Sequence, residues 1–173
     1  MNRKGIAMKS IKIEDLSKDL LHQLAKGAFL TVRNEKNVNT MTIGWGSVGY
    51  IWNKPILMVP VRYSRHTYTL ISHAETFTVS VPVTKNLKDA LALCGTKSGK
   101  NLDKIKACGL TLVDAQAVET PIIGECDLHI ECKVVYKQAM EPGNITEEIR
   151  AMNYPQNDFH VLFYGEIVSA YYL

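Results

Sequence analysis

The sequence is short of the features that mark several classes of protein. Its four cysteines, Cys94, Cys108, Cys126 and Cys132, never form a C-x-x-C pair, and four thiols in 173 residues do not make a disulfide scaffold. They are expected to be free thiols in a reducing, cytoplasmic compartment. No apolar run is long enough to span a bilayer. In the basic start MNRKGIAMKSIKIEDL, the charged Lys9, Lys12, Glu14 and Asp15 interrupt any signal-peptide core, which leaves the sequon Asn144-Ile145-Thr146 idle. The net charge of +3 is slight and the lysines are scattered among acids, so neither nucleic acid nor membrane is an expected partner.

Motifs for several chemistries are missing as well. No Gly-x-Ser-x-Gly elbow occurs, which leaves hydrolase chemistry without support. In Cys94-Gly95-Thr96-Lys97-Ser98-Gly99-Lys100 only three residues separate the glycines, and Asn101 stands where a phosphate loop needs Ser or Thr. A nucleoside-triphosphate site is therefore not expected. No histidine belongs to a metal motif: His129 shares its strand face with Asp127 and Glu131, a set that predicts a hydrated polar face and no metal.

What is present suits one ordinary globular core: 46% hydrophobic and 21% charged residues in a chain long enough to bury roughly 68–70% of its unfolded surface. Leu16, Leu20 and Leu24 recur every fourth residue, predicting a helix over Ile13–Ala25 that Gly27 ends. Ala28–Val32 and Thr40–Gly46 form a predicted hairpin around the polar turn Arg33–Asn37. Lys54-Pro55 marks the next break, and Ile56–Val61 is a strand in which Pro60 requires an edge or a bulge. A helix over His66–His73 capped by Ser64, a strand over Phe77–Val81, a helix opened by Thr84 and stopped by Gly95, and a short helix from Asn101 to Gly109 follow.

Glu125–Tyr136 alternates most clearly, with Cys126, Leu128, Ile130, Cys132, Val134 and Tyr136 on the expected buried face. Pro142–Asn157 is a loop with about one helical turn, and Phe159–Tyr172 is a closing strand. Six or seven strands not interleaved with helices predict a mainly β, mostly antiparallel barrel with peripheral helices.

The densest chemistry lies in Arg62-Tyr63-Ser64-Arg65-His66-Thr67, where two guanidinium groups and two hydroxyls precede a helix. An anion site and a solvated basic loop both fit that hexapeptide. The strand before it, Asn39 to Gly46, carries Met41, Thr42, Ile43 and Trp45 with two glycines; it permits a flat ligand against the backbone, and equally an ordinary half-buried strand. Gly95 to Lys100 is a donor-rich loop suited to closing over a ligand or to plain surface connection.

In this order and spacing the stretches resemble the flavin reductase-like, FMN-binding family that includes flavoredoxin and ferric reductase. The resemblance runs from Ala28 to Tyr171 through Asn39–Gly46, Lys54-Pro55, Val61–Thr67, Phe77–Pro82, Gly95–Lys100 and Phe163–Ile167. It implies a split β-barrel in one domain over residues 1–173, with 1–27 as a helical extension, assembled as a homodimer that binds FMN non-covalently. By resemblance Asn39, Met41, Thr42, Ile43 and Trp45 line the flavin ring, and Arg62, Ser64, Arg65 and Thr67 hold the phosphate. Cys94, Gly95, Ser98, Gly99 and Lys100 reach the ring edge or ribityl chain.

The activity implied is an oxidoreductase that takes electrons from NAD(P)H or a protein donor and passes them to flavin, ferric iron or another acceptor. Two alternatives carry the same site: an FMN-binding electron carrier without NAD(P)H oxidation, and an enzyme resembling pyridoxamine-phosphate oxidases. No catalytic side chain is assigned, because the flavin performs the redox step.

Overall fold

The computed structural model describes residues 9–35 and 37–173; the first eight residues of the expected extension and Lys36 of the expected turn lie outside the described residues. Helix α1 (Ile13–Leu24) places Leu16, Leu20 and Leu24 in the core at 5% exposure or less. Each such leucine stabilises the fold by about 1.5–3 kcal/mol. Gly27, at φ 111°, then turns the chain into β2 (Ala28–Asn34), which pairs with β3 (Asn37–Ile43) from Ala28↔Ile43 to Asn34↔Asn37.

Strand β4 (Ser47–Ile51) was not anticipated. Its residues are largely exposed, so it carries no core alternation. It is joined to β5 (Lys54–Arg62) by a two-residue turn in which Trp52 and Asn53 adopt φ 55° and 57°. The break thus precedes Lys54-Pro55, which belong to the strand. A tryptophan in the left-handed region is an unusual turn residue and hid the hairpin. Pro60 lies beyond the last β4 pairing, Ser47↔Met58, so its missing N–H costs no ladder bond on that side.

Among the described residues, β1 (Lys9–Ser10), β6 (Thr76–Val81), β9 (Leu128–Ala139) and β10 (His160–Tyr172) complete an eight-stranded sheet ordered β3-β2-β6-β9-β10-β5-β4, with β1 on β10. Every pairing is antiparallel. No ladder joins β3 to β4 or β5, so the architecture is a split barrel. Alternate residues Ala28, Leu30, Val32, Phe77, Val79, Val81, Leu128 and Ile130 point into the main core together with α1 and α2 (His66–Ile71). Phe29 points the other way, into a second cluster with Leu91 and Cys94 of α3 (Lys88–Thr96) and with Ile123.

The hydrated face expected on β9 is instead buried: His129 and Glu131 are both 0% exposed. The connection after α4 (Lys104–Ala107) makes a small ladder of β7 (Leu112–Val113) with β8 (Ile122–Ile123) and lies over β6 and β9. Glu131 accepts the backbone N–H groups of Gln116 and Ala117 at 2.7 and 2.6 Å and the Tyr171 hydroxyl at 2.7 Å. His129 meets Ser80 Oγ at 3.1 Å and the Cys126 carbonyl at 3.2 Å. Buried polar groups are tolerated because each is hydrogen-bonded.

Smaller corrections concern helix ends. Ser64 does not cap α2, whose N-cap is Arg65. Thr84 lies ahead of α3 and bonds Asp127, while Gly95 is inside that helix. Asp103, not Asn101, caps α4. The region after Pro142 holds a 3-10 turn (Pro142–Asn144) and the seven-residue α5 (Glu147–Asn153), more helix than the single turn expected. Among the described residues no helix is long and apolar enough to cross a membrane.

Candidate functional site

A cleft of about 150 Å³ opens across the split of the barrel. One wall is the end of β3 and the residues after it: Met41, Thr42, Ile43, Gly44 and Trp45. The other is the free end of β5 with Pro60 and Arg62, together with His160 and Arg65. The pairing His160↔Arg62 sets these two side by side. Met41 and Ile43 are buried, whereas Trp45 is 47% exposed and tilts against the His160 ring with centroids 5.2 Å apart. The surface is apolar and aromatic on one side and cationic on the other.

A second cleft of about 110 Å³ shares Met41 and Arg65 with the first. Ser64, His66 and Thr67 from the start of α2, Cys94 and Thr96 from α3, Lys97, Ser98 and Gly99 from the following loop, and Lys104 line it. Lys104 is 4% exposed. Among the described residues its hydrogen-bond partner is the Cys94 carbonyl at 3.2 Å, and no carboxylate pairs with it. Burial lowers its pKa from the ordinary lysine value, with the Arg65 charge acting in the same direction. A buried ammonium with spare donors, among hydroxyls and a second cation, is an anion-accepting arrangement.

The expected site residues divide into three groups. Met41, Thr42, Ile43, Trp45, Arg62, Ser64, Arg65, Thr67, Cys94, Ser98 and Gly99 line one or both clefts. Asn39 and Gly95 stand behind them: Asn39 donates to the Thr67 hydroxyl at 2.8 Å, and the Gly95 carbonyl accepts from Arg65 Nη1 at 2.9 Å. Lys100 is exposed and lines neither cleft.

Several lining groups are already engaged. Arg62 donates to the carbonyls of Asp158 (2.5 Å) and Asn153 (3.0 Å) and lies 5.0 Å over the Tyr154 ring. Ser64 gives its hydroxyl to the Asp158 carboxylate at 2.5 Å, and Thr42 gives its own to the Leu91 carbonyl at 2.5 Å. A Cβ on Gly99 would come within 2.0 Å of Asn39 Oδ1, so only glycine allows the loop this close to β3.

His160 and Lys104 were not anticipated. His160 is only 6% exposed, yet it forms cleft wall. Its Nδ1 lies 2.8 Å from the Tyr154 hydroxyl. Burial, with the Arg62 and Arg65 charges outweighing Asp158, lowers its pKa to about 4, so the ring is neutral at pH 7. No local motif marks either residue: the register of β10 on β5 and the packing of α4 bring them to the site.

Comparison with known proteins gives a consistent likeness. The family model described as flavin reductase like domain matches residues 24–172. An uncharacterised protein of Archaeoglobus fulgidus is 34% identical over 140 residues, covering 81% of this chain and 68% of that protein. The solved flavoredoxin of Desulfovibrio vulgaris is 25% identical with a TM-score of 0.65, over 83% of this chain and 67% of that one. An FMN-binding domain of a flavin reductases-like enzyme from Shewanella baltica has a TM-score of 0.70 at 19% identity, over 95% of this chain and 76% of that one.

Proposed function

Since the chain belongs to the flavin reductase-like family, we propose that it is a flavoprotein that binds FMN non-covalently across the split of its barrel and transfers electrons through it. The observation that carries this reading is the pair of clefts joined at Met41 and Arg65, the first with an apolar and aromatic wall facing Arg62 and Arg65, the second polar and cationic. Met41, Ile43 and Trp45 suit the flat face of a ring system, and the strand backbone beside them suits its polar edge. Arg65, Thr67 and Lys104 suit a phosphate, with Ser64 able to join them once its hydroxyl turns from Asp158, and Lys104 in particular has a buried charge without a counter-ion.

A bound flavin supplies the redox chemistry, accepting electrons from a donor and passing them on. The protein's own residues bind, orient and shield. Neutral His160 keeps a third positive charge away from Arg62 and Arg65, and Met41 and Ile43 give the first cleft a buried apolar wall. The donor we propose is NAD(P)H or a reduced protein, and the acceptor is free flavin, ferric iron or another oxidant; an electron carrier without NAD(P)H oxidation uses the same site. Anaerobic titration of the FMN-loaded protein with NADH, NADPH and reduced ferredoxin in turn, followed by flavin absorbance, separates these. A protein that neither binds FMN nor is stabilised by it refutes the reading at its first step.

The described residues form one such domain in this proposal, with α1 packed into its main core, and the unbonded thiols suit a cytoplasmic location. The homodimer is proposed on two supports. Each cleft is smaller than the ~300–1,000 Å³ of a typical small-molecule pocket, leaving Trp45 half open for a second copy to cover. The β4–β5 hairpin also leads to exposed Tyr50, Ile51 and Trp52, and Trp52 lies 5.8 Å from the Tyr136 ring and 6.4 Å from that of Tyr164. An aromatic patch of this kind is typical of an interface core. Light scattering on the wild type and on Trp52→Asp tests it, with a dimer and a monomer expected respectively.

A further inference from the structure

Two thiols lie together beside the second cleft, and one of them, Cys94, lines it. Cys94 in α3 is 2% exposed, and Cys108, the C-cap of α4, is partly exposed. Their sulfurs are 4.0 Å apart, and Cys108 Sγ also lies 3.9 Å from the Ala90 carbonyl. The redox chemistry proposed above requires neither thiol. A disulfide needs the sulfurs at about 2.05 Å, a closure of roughly 2 Å. The element that must move is small: α4 spans four residues, ends at Cys108 and is followed by Gly109 at φ 63°.

We propose that Cys94 and Cys108 are a redox-active dithiol whose reversible disulfide latches α4 onto α3 along the wall of the cleft. The oxidant is a hydroperoxide. The sulfur of Cys108, the more exposed of the two residues, attacks the O–O bond and takes one oxygen as a sulfenic acid, while the rest of the peroxide leaves as an alcohol, or as water from hydrogen peroxide. Cys94 then attacks that sulfur, the S–S bond forms and the sulfenic oxygen leaves as water. Two thiols lose two electrons in total and the peroxide gains them; an external dithiol reverses the step.

The order of attack follows from position. Cys94 is enclosed, and burial, reinforced by the neighbouring Cys108, pushes its pKa up to about 12, so it waits as a thiol while Cys108 meets the oxidant. The latch acts on the cleft because the chain at Cys94 holds two of its three cations: Lys104 bonds the Cys94 carbonyl and Arg65 the Gly95 carbonyl. Cys126, buried in the same cluster as Cys94, and Cys132, buried in the main core, serve as internal controls.

The test treats the reduced full-length protein, without added flavin, with stoichiometric hydrogen peroxide. Free thiols are expected to fall from four to two, with a peptide cross-link joining Cys94 to Cys108 at the loss of two hydrogens. Dithiothreitol should restore all four, and Cys108→Ser should give no intramolecular cross-link. Amide hydrogen exchange over residues 97–108 should slow in the oxidised form. A cross-link to Cys126 or Cys132, sulfinic acid at Cys108 without a bond, or four thiols left intact overturns the dithiol; unchanged exchange over residues 97–108 overturns the latch. Because no step uses FMN, these results are independent of whether flavin binds.

Discussion

The side-chain amide of Asn39 donates a 2.8 Å hydrogen bond to the Thr67 hydroxyl, joining β3 to the first turn of α2 across 28 residues of sequence. Both residues are buried, at 7% and 1% exposure, and Asn39 Oδ1 lies against Gly99. One contact therefore fixes the ring-side strand, the anion-side helix and the loop after α3 relative to one another. Asn39 stands behind the second cleft and holds Thr67, which lines it.

Removing one partner of that bond should cost more than the bond itself. Thr67→Val keeps the volume but leaves the buried amide unsatisfied, a loss of about 1–3 kcal/mol. Thr67→Ser should retain most of the stability. Urea unfolding measures both, and a loss below about 0.5 kcal/mol in Thr67→Val would refute the structural role.

Arg62 and Arg65 look equivalent in sequence but are not in the fold. Arg62 binds the carbonyls of Asn153, at the end of α5, and Asp158, in the connection to β10, and covers Tyr154, so Arg62→Ala should lower stability as well as any ligand affinity. Arg65 is exposed and has one backbone bond, to Gly95. Arg65→Ala should change stability by less than about 0.5 kcal/mol and weaken FMN binding roughly 10- to 100-fold, the value of one charge-assisted contact. Thermal melts and fluorescence titration separate the two; equal effects of the two substitutions on stability would refute the division.

Lys104 is expected to trade stability for binding. An unpaired buried ammonium is costly, so Lys104→Met should leave the FMN-free protein as stable as wild type or more so, while weakening FMN binding. Calorimetric melting without ligand and isothermal titration with FMN give the two quantities. A less stable variant with unaltered affinity would make Lys104 a structural residue only.

The contrast between these side chains marks what the sequence can convey. Leu16, Leu20 and Leu24 and the apolar face of β9 were legible because a period of four or two follows directly from backbone geometry. The segment Asn39–Thr67 was legible as a cluster of chemistry, and much of it does line the clefts. What was not legible depends on distant packing. Nothing near His129 or Glu131 announces that the connection from 114 to 121 will cover them. Nothing near Lys104 announces the Cys94 carbonyl, and Ser64 turned to Asp158, 94 residues away, instead of capping its own helix. Alternation identifies two faces of a strand, but only tertiary structure decides whether the polar one meets water.

The burial of His129 has a measurable pH signature. Burial lowers its pKa from 6.5 to about 4, opposed only in part by the Cys126 carbonyl and Asp127, and His160 shifts to a similar value. Between pH 6.5 and 4 the unfolded chain binds protons at these positions and the folded chain does not. Stability is therefore fully present above pH 6.5 and falls as the pH drops towards 4, by up to about 1.4 kcal/mol per pH unit for each histidine. His129→Gln leaves an amide able to donate to the Cys126 carbonyl and removes one titrating group, so its unfolding free energy should fall less steeply than that of wild type over this window. Urea unfolding at half-unit pH intervals measures the slopes. Parallel curves for the variant and wild type would show that His129 takes up its proton in the folded state, against the enclosure by Ser80 and Cys126.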